Sequence, residues 1–266
     1  MGTSSADPPP VLDFVVPVYN ERENIEAFLR QVKTQVEIPC RVLIVYDFPE
    51  DNTIPEVTRL ASLMPFEIKL VENTLGRGPL NAIRAGITAS TSEAVIVTMA
   101  DCSDDLGDVS RMYACYAQGA DLVCASRYMR GGGQIGGPLI KGLLSRVAGI
   151  SLRLLTGLPT MDATNNFKLY RRQVLETFPV ESQKGFVFAL EVTVKAFLGG
   201  FAITEVPTIW RDRTAGKSNF RLLQWLPLYW RWYWLAVRAR GFGLYRSIPI
   251  PRKSESPPRS KLQDPM

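Results

Sequence analysis

Short apolar runs alternate along the chain with longer stretches in which apolar residues recur every three or four positions. The first pattern predicts buried strands, and the second predicts amphipathic helices. In chain order the strands are VLDFVVPVYN, CRVLIVYD, FEIKLVEN and EAVIVTMAD, and the helices between them are ERENIEAFLRQVKTQ, IPEVTRLASLM and GPLNAIRAGITAS. This alternation predicts βαβ units and therefore an α/β fold with a mainly parallel sheet flanked by helices.

Polar residues follow the end of each predicted strand. Ligands bind beyond the carboxyl ends of parallel strands, where the connecting loops meet. We therefore expect the polar residues to share one ligand site. They are Tyr19, Asn20 and Glu21 after the first strand, Asp47 after the second, Asn73 and Gly76 after the third, and Asp101 after the fourth.

The fourth strand runs into a segment with four aspartates, AVIVTMADCSDDLGDV. Two interpretations stay open for Asp101, Asp104, Asp105 and Asp108. One is an aspartate N-cap on the helix that follows, with the other acids favoured by the positive end of the helix dipole. The other is a group of carboxylates that binds a ligand at the end of a buried strand.

Composition narrows the chemistry that the chain can perform. Of its 266 residues, 46% are hydrophobic and 21% are charged, which is typical of a globular protein. The four cysteines lack CxxC spacing, which favours a reducing compartment over disulfides or a zinc site. The chain has no histidine, which excludes Ser/His/Asp and Cys/His catalysis. Any metal must therefore bind oxygen ligands, as Mg²⁺ and Mn²⁺ do.

Basic residues are concentrated after Arg127, although the net charge is only +5. Such a region could bind anionic lipid, a phosphorylated substrate or nucleic acid. No recognised nucleic-acid-binding motif is present, so nucleic acid is not expected as a partner. The N-terminus lacks the pattern of a signal peptide, and no stretch approaches about 18 uninterrupted apolar residues. We therefore expect a cytoplasmic protein without a transmembrane helix.

The last part of the chain has a composition of its own. Residues 221–248 contain four of the five tryptophans, interleaved with arginines and interrupted by Pro227. This density of aromatic rings and arginines is typical of an amphipathic helix at a membrane interface. The alternative is a core helix or a contact between subunits, and the oligomeric state stays open. The Pro- and Ser-rich ends, residues 1–10 and 249–266, are predicted to be disordered tails.

Several motifs occur together in order: VVPVYNERENIEAFL, YDFPEDNT, NTLGRGPLNAIRAG, MADCSDD, ASRYMRGGG and EVPTIWRDRTAGKSNF. Together they resemble the inverting family 2 glycosyltransferases with the Rossmann-like GT-A fold, and within them the dolichyl-phosphate mannose synthase and polyprenyl-phosphate glycosyltransferase branch. The resemblance implies a GT-A domain over residues 11–220. It also implies transfer of mannose or glucose, with inversion, from a nucleotide sugar such as GDP-mannose or UDP-glucose to a polyprenyl or dolichyl phosphate.

The resemblance assigns the donor to the loops after the first three predicted strands. Asp47 would accept hydrogen bonds from the nucleoside. Glycines in NTLGRG let the backbone approach phosphate closely before a helix N-terminus. The other donor residues would be Pro17, Tyr19 and Glu21 around the base and ribose, and Gly76 and Arg77 at the phosphates. Strand termination and helix-dipole complementarity are the alternative roles of Pro17 and Glu21.

The resemblance also implies Mg²⁺ or Mn²⁺ beside the leaving diphosphate. The family's Asp-x-Asp element falls on Met99-Ala100-Asp101, so its first carboxylate is missing, and the glutamine that follows it falls on Ser103. Asp104 or Asp105 would replace the missing ligand, with helix capping as the alternative role of both. The implied metal ligands are Asp101, Ser103 and Asp104.

The second half of the chain would bind the acceptor, because Arg and Lys are the usual partners of phosphate. By resemblance, Arg127, Lys141 and Ser145 lie on the acceptor side, and Arg211 and Lys217 belong to a loop that closes over the diphosphate. Arg130 and Arg213 are interpreted as surface charges. The family's small Ser-Gly pair is replaced by Asn165-Asn166, which is expected to reshape a sugar pocket around Asp162, Thr164 and Asn165. The predicted catalytic residues are Asp101, Arg127, Arg211 and Lys217.

The absence of histidine is consistent with a lipid-phosphate acceptor. A phosphate monoester is already anionic at neutral pH and can attack the anomeric carbon without a general base. A sugar or glycolipid hydroxyl would need a base, for which Asp162 or another carboxylate would have to serve. A non-catalytic nucleotide-binding protein is the third possibility, because Met99 and Ser103 weaken the metal site.

Overall fold

The computed structural model describes residues 10–182, 187–213 and 222–241. Side chains are described for all of these except residues 139, 141, 222–226, 240 and 241. The predicted tails, apart from Pro10, and the predicted site residue Lys217 lie outside the described residues. Lys141 lies on a described helix, but its side chain is not described.

Seven strands form the central sheet: β1 (Leu12–Pro17), β2 (Cys40–Tyr46), β3 (Glu67–Glu72), β4 (Ala94–Val97), β5 (Leu122–Ser126), β7 (Lys168–Arg171) and β8 (Ile203–Pro207). Their order is β3-β2-β1-β4-β7-β5-β8. All neighbours are parallel except β7, which is antiparallel to β4 and β5. A small parallel pair consists of β6 (Gly133–Ile135) and β9 (Ile209–Arg211). The predicted mainly parallel sheet is confirmed.

Helices connect the strands and flank the sheet. They are α1 (Arg22–Gln35), α2 (Thr53–Ala61), α3 (Pro79–Ala89), α4 (Val109–Ala117), α5 (Leu139–Thr156), α6 (Arg172–Thr177), α7 (Phe188–Leu198) and α8 (Leu222–Gly241). The three helices predicted from the hydrophobic pattern correspond to α1, α2 and α3. A short 3₁₀ turn, Leu106–Asp108, precedes α4.

The sheet has a hydrophobic core on each face. Phe14 and Val16 of β1 belong to the core beneath α1 and α2, whereas Val15 belongs to the core beneath α3, α6 and α7. All six residues of β1 are buried, because successive side chains point to opposite faces and both faces are covered. At Gly86 of α3, an added Cβ would lie 2.4 Å from Val15 Cγ1, so a glycine is required for this close packing.

The C-terminal helix is part of the folded structure. Helix α8 packs against α5 and α7 over a third core that includes Leu152 and Trp232. The indole N–H of Trp232 donates to Ser182 Oγ at 3.0 Å, whereas Trp230 and Trp234 are 56% and 39% exposed. Helix α8 therefore combines a buried face with exposed aromatic rings, and its contact with a membrane stays a prediction. Within the described residues, no helix is both long and apolar enough to cross a membrane.

Candidate active site

The loops after β1 and β2 are joined by hydrogen bonds at the carboxyl edge of the sheet. The backbone N–H of Asn20, which has a φ of 56°, donates to Asp51 Oδ2 at 3.0 Å. The backbone N–H of Glu21 donates to Thr53 Oγ1 at 2.9 Å. The Glu21 carboxylate accepts from Asn24 Nδ2 at 2.6 Å, and burial raises the pKa of Glu21 above its ordinary value. These contacts fix the entrance to α1 beside the acidic segment after β4.

Asp47 joins the loops after β2 and β3. Its two carboxylate oxygens accept hydrogen bonds from Asn73 Nδ2 at 2.7 Å and from the backbone N–H of Gly78 at 2.8 Å. Asn73 Nδ2 also donates to the backbone oxygen of Gly76 at 2.8 Å. Gly76 and Gly78 have φ values of 98° and 128°, a region that other residues rarely adopt. The turn that carries Arg77 is therefore held on both sides.

An aromatic and cationic group lies at the same edge. The rings of Tyr19 and Phe48 meet edge to face with centroids 5.6 Å apart, and the Arg77 guanidinium carbon lies 5.2 Å from the Phe48 centroid. Pro17 is the last residue of β1, directly before this loop. The interpretation of the sequence did not include Phe48, although an aromatic residue directly after the strand-end Asp47 was a usable signal.

The acidic segment after β4 contacts the end of β9 and the residues that follow it. Asp101 is 5% exposed. Its Oδ1 accepts from the backbone N–H of Ser103 at 3.1 Å, and its Oδ2 forms an ion pair with Arg213 at 2.9 Å. The backbone N–H of Arg211 donates to the carbonyl oxygen of Ser103 at 2.9 Å. The interpretation of Arg213 as a surface charge is therefore wrong, because this side chain neutralises the predicted metal ligand.

Asp104 and Asp105 have different roles in the structure. Asp105 is the N-cap of the 3₁₀ turn, where its side chain accepts from the Gly107 N–H at 3.2 Å, and it lies 3.6 Å from Arg211. Asp104 is buried and accepts from Thr98 Oγ1 at 2.8 Å. Burial, with a smaller effect from Asp101, raises the pKa of Asp104 to about 7. The capping interpretation thus describes Asp105, whereas Asp104 lies beneath the site.

The side-chain oxygens at this edge of the sheet can be compared with the ligands that a divalent cation requires. Within the described part of the chain, no group of three or more carboxylates, cysteines or histidines could hold a metal ion. The Oδ2 atom of Asp101 nevertheless binds a cation, the guanidinium of Arg213. Mg²⁺ commonly uses one or two protein carboxylates and takes its other ligands from substrate phosphates and water. The residues therefore fit an ion that is shared with a diphosphate.

Arg127 and Asp162 form a buried ion pair at the end of β5. Arg127 Nε and Nη2 donate to the two oxygens of Asp162 at 2.7 and 2.9 Å, and Nη2 also reaches Ser145 Oγ at 3.3 Å. Ser145 Oγ lies 2.6 Å from Thr164 Oγ1. Burial alone lowers the pKa of Arg127 and raises that of Asp162, but their mutual attraction reverses both shifts. Both groups are therefore charged and compensate each other.

A buried lysine supports the loop after Asp162. Lys168 on β7 is fully buried, and its ammonium donates to the carbonyl oxygens of Ala163, at 3.1 Å, and of Asn165. Asn165 Nδ2 in turn donates to the Ala125 carbonyl oxygen at 3.0 Å. Burial lowers the pKa of Lys168. The interpretation of the sequence did not include Lys168, because its neighbours in FKLY do not distinguish a buried lysine from a surface one.

A cavity of about 410 Å³ opens between the β5–β6 loop and α5. Its lining includes Arg127 and Tyr128 after β5, Gln134 on β6, and Leu143 and Arg146 on α5. Of the predicted acceptor residues, Arg127 lines the cavity and Ser145 hydrogen-bonds to Arg127. Arg146 also lines the cavity, although it was not among the acceptor residues predicted from the sequence.

A mostly parallel seven-stranded sheet flanked by helices is GT-A-like, and the sequence comparison agrees with this fold. Residues 13–178 match the family described as glycosyl transferase family 2. The chain belongs to this family, and the predicted resemblance is confirmed.

Two curated relatives have names that are more specific than that of the family. The chain is 31% identical over 210 residues to a polyprenol monophosphomannose synthase of Mycolicibacterium smegmatis. The match covers 77% of this chain and 79% of that protein. It is 25% identical over 213 residues to a dolichol-phosphate mannosyltransferase of Pyrococcus furiosus. That match covers 78% of this chain and 58% of that protein.

The fold is also found among solved structures. A glucosyl-3-phosphoglycerate synthase from Mycobacterium tuberculosis, crystallised with Mn²⁺, uridine diphosphate and glucosyl-3-phosphoglycerate, superposes with a TM-score of 0.63. The match covers 88% of this chain and 80% of that one at 16% identity. At this identity the similarity establishes the shared fold only.

Proposed function

We propose that this protein transfers mannose, with inversion, from a nucleotide diphosphate sugar to a polyprenyl phosphate at the cytoplasmic face of a membrane. Family membership and the names of the two relatives support glycosyl transfer and favour mannose. The observation that carries the choice of acceptor is the arginine-lined cavity, which opens beside an exposed apolar face of α5. GDP-mannose is the proposed donor, and UDP-glucose is the alternative.

The donor is proposed to lie along the carboxyl edge of β1 to β4. The nucleoside would lie against Tyr19 and Phe48, with Arg77 above the turn that Asp47 holds. When bound, Mg²⁺ or Mn²⁺ would be held by Asp101, with Ser103 and Asp104 beside it, and would offset the negative charge of the leaving diphosphate. Arg211 and Lys217 are proposed to add positive charge on the other side of the diphosphate.

The reaction requires positioning of an anion more than proton transfer. A phosphate oxygen of the acceptor forms a bond to the anomeric carbon, the bond to the diphosphate oxygen breaks, and nucleoside diphosphate leaves. The acceptor oxygen carries no proton that a base must remove at neutral pH. This step is consistent with a chain that lacks histidine, since cationic side chains alone can orient the phosphate.

The apolar face of α5 supports a membrane-bound acceptor. Ile140, Leu143, Val147 and Leu154 are 71%, 62%, 56% and 79% exposed. Neither α5 nor α8 contains an acidic residue, and both contain arginines. Basic residues near an anionic bilayer contribute about 1 kcal/mol each, and exposed apolar side chains add an interaction that salt does not screen. We propose that α5 and α8 together contact the bilayer.

The contacts of Asp162 weigh against a hydroxyl acceptor. A sugar hydroxyl would need a general base near its attacking oxygen. Both oxygens of Asp162 accept hydrogen bonds from Arg127, and the pKa of Asp162 is lowered by that pair, although burial alone would raise it. A carboxylate with a lowered pKa that is held in this way is a poor base, so the phosphate acceptor is the better fit.

The test is a donor panel with a polyprenyl phosphate in detergent. The purified chain is incubated with radiolabelled GDP-mannose or UDP-glucose, and the organic extract is counted. We expect label in the organic phase, an acceptor-dependent release of nucleoside diphosphate, and a product of inverted anomeric configuration by NMR. Label that stays with an aqueous sugar acceptor would support the hydroxyl alternative. Nucleotide binding without any release would support a non-catalytic protein.

A further inference from the structure

Two adjacent asparagines in the loop before β7, Asn165 and Asn166, differ in their hydrogen bonds. The Asn165 side chain is satisfied at both ends, because its Nδ2 donates to the Ala125 carbonyl oxygen at 3.0 Å and its Oδ1 accepts from the Phe167 N–H at 3.3 Å. The Asn166 Oδ1 atom is buried, and none of the described residues donates a hydrogen bond to it. An amide oxygen that is buried without a donor destabilises a fold. Stability of the loop therefore does not explain the Asn166 side chain.

The sheet topology places Asn166 between the two sides of the candidate active site. Strand β7 is antiparallel to both of its neighbours, and Lys168 pairs with Val97 of β4 and with Cys124 of β5. The carbonyl oxygen of Phe167 still accepts a hydrogen bond from the backbone of β5, at 3.2 Å. Asn166 is the next residue toward the carboxyl ends of β4 and β5. It therefore lies at the carboxyl edge of the sheet, between the ends of these two strands.

This position corresponds to the place of the transferred sugar in the proposed reaction. Asp101, which is proposed to lie at the leaving diphosphate, belongs to the segment after β4, and Arg127, on the acceptor side, directly follows β5. In a transfer with inversion, the attacking oxygen and the leaving oxygen lie on opposite sides of the anomeric carbon. The hexose must therefore lie between the two sides, over the part of the edge that contains Asn166.

The backbone around Asn166 is held from below. The buried ammonium of Lys168 donates to the carbonyl oxygens of Ala163, at 3.1 Å, and of Asn165. The backbone N–H of Asn165 donates to Asp162 Oδ1 at 3.2 Å. A rotation of the Asn166 amide breaks no hydrogen bond to its oxygen, whereas the same rotation of Asn165 would break two. Asn166 thus combines a fixed backbone with a side-chain oxygen that can turn toward a ligand without loss.

We propose that Asn166 is a specificity-determining residue, whose side-chain amide forms a hydrogen bond with a hydroxyl group of the transferred hexose. An amide both donates and accepts, so it matches a hydroxyl in either role. A site built to bind a hydroxyl discriminates against an analogue that lacks it, because the polar group of the protein is then left unpaired. The assignment rests on the proposed function for the identity of the donor. It differs from the expectation from the sequence, which placed Asn165 at the sugar pocket.

The first test compares the binding of GDP-mannose and of GDP by calorimetry in the presence of Mn²⁺. Asn166→Ala should weaken the binding of GDP-mannose by about 3- to 10-fold, as expected for the loss of one hydrogen bond, and should leave GDP unchanged. It should unfold at a temperature no lower than the wild type, because it removes a buried unsatisfied oxygen. Asn165→Ala is the matched control, which should unfold at a lower temperature and affect both ligands alike. Unchanged binding of GDP-mannose by Asn166→Ala, or equal weakening of both ligands, would overturn the proposal.

The second test identifies the hydroxyl by transfer from monodeoxy analogues of GDP-mannose to a polyprenyl phosphate. For the wild type, kcat/KM should fall by about 10- to 100-fold for the analogue that lacks the bound hydroxyl. Asn166→Ala should show a similar loss with GDP-mannose but should use that one analogue as well as the wild type does. A loss by the same factor for every donor would indicate a structural role and overturn the proposal. Selective weakening of GDP-mannose binding, with no sugar transfer by the wild type, would contradict the proposed function but leave the role of Asn166 standing.

Discussion

At the scale of single residues, Asp101 is the side chain on which the proposed chemistry depends most. Its two oxygens have separate partners, the backbone N–H of Ser103 and the guanidinium of Arg213. The first contact orders the loop after β4, and the second shows that the other oxygen is available to a cation. Substitution by asparagine keeps an acceptor for Ser103 while it removes the charge.

We therefore expect Asp101→Asn to lower kcat/KM by about 100-fold or more, because charge stabilisation at a leaving group is worth several kcal/mol. Thermal unfolding should change little. Asp105→Asn is the matched control, since Asp105 caps a 3₁₀ turn in the same segment, and it should retain most of the activity. Equal losses in the two variants would contradict the assignment of the metal to Asp101.

Arg213 leads to a prediction that does not depend on turnover. Because its guanidinium lies 2.9 Å from Asp101 Oδ2, it competes with any divalent ion for that oxygen. Arg213→Gln should bind Mn²⁺ about two- to fivefold more tightly in the absence of donor, the factor that corresponds to a partly exposed ion pair. Calorimetric titration with Mn²⁺ measures this change. Unchanged or weaker Mn²⁺ binding would show that the arginine and the ion do not share the carboxylate.

The comparison of Asp104, Asp105 and Arg213 shows what the sequence could not predict at this scale. Two adjacent aspartates before a helix have the same capping preference, so capping and ligation stayed open for both. Only the fold separates them, because it brings Thr98 to Asp104 and Gly107 to Asp105. The interpretation of Arg213 failed for a related reason, since its partner Asp101 is distant in the chain.

At the scale of elements, the hydrophobic pattern predicted the first four strands and three helices well. These elements alternate locally, and buried parallel strands have continuous apolar sequences. The insertion of β7 between β4 and β5 was not predicted, because a four-residue strand, KLYR, carries too little pattern to indicate an antiparallel partner far away in the chain. Helix α5 was also missed, since its many exposed apolar residues obscure the usual amphipathic signal.

A buried aspartate at the opposite end of β1 leads to an element-scale prediction about stability. The Asp13 carboxylate accepts hydrogen bonds from Arg41, from Ser90 Oγ and from the backbone N–H groups of Thr91 and Ser92. Burial alone raises the pKa of Asp13, but these donors outweigh it, so the pKa lies below its ordinary value of 3.8. Asp13 thus ties β1 to β2 and to the turn before β4.

Because the pKa of Asp13 is lowered by folding, its contribution to stability is present above about pH 4 and is lost as the pH falls through the folded-state pKa. Asp13→Asn should lower the free energy of unfolding at pH 7 by about 3 kcal/mol, since Arg41 loses its buried partner. The difference between variant and wild type should shrink toward pH 2.5. Urea unfolding at several pH values measures it, and a difference that is constant or grows in acid would contradict this role.

At the scale of the whole molecule, the proposed membrane surface is composed of two helices that are separate in sequence. The aromatic composition of residues 221–248 indicated an interfacial segment, with a core helix as the alternative. Helix α8 has both properties, because Trp232 is buried against α5 and α7 whereas Trp230 is exposed. The exposed apolar face of α5 extends this surface toward the cavity that is proposed to receive the acceptor phosphate.

If this surface contacts a bilayer, binding to vesicles with anionic lipid must have two components. The arginines of α5 and α8 provide an electrostatic part that salt screens, and the apolar side chains provide a part that salt leaves in place. A triple variant, Ile140→Ser with Val147→Ser and Leu154→Ser, should therefore lose most of the salt-resistant binding, at least about tenfold, because each side chain adds roughly 1.5–3 kcal/mol when fully buried.

The matched control replaces two exposed apolar residues elsewhere, Val11→Ser with Leu63→Ser, which are 40% and 56% exposed. Sedimentation at low and high salt should leave this control like the wild type. The triple variant should still use a water-soluble prenyl phosphate, since none of its three positions lines the cavity, but it should lose activity on a long-chain acceptor embedded in vesicles. Unchanged vesicle binding in the triple variant, at both salt concentrations, would exclude α5 as the membrane contact. The exposed apolar face of α5 would then have no part in bringing the acceptor from the bilayer to the cavity.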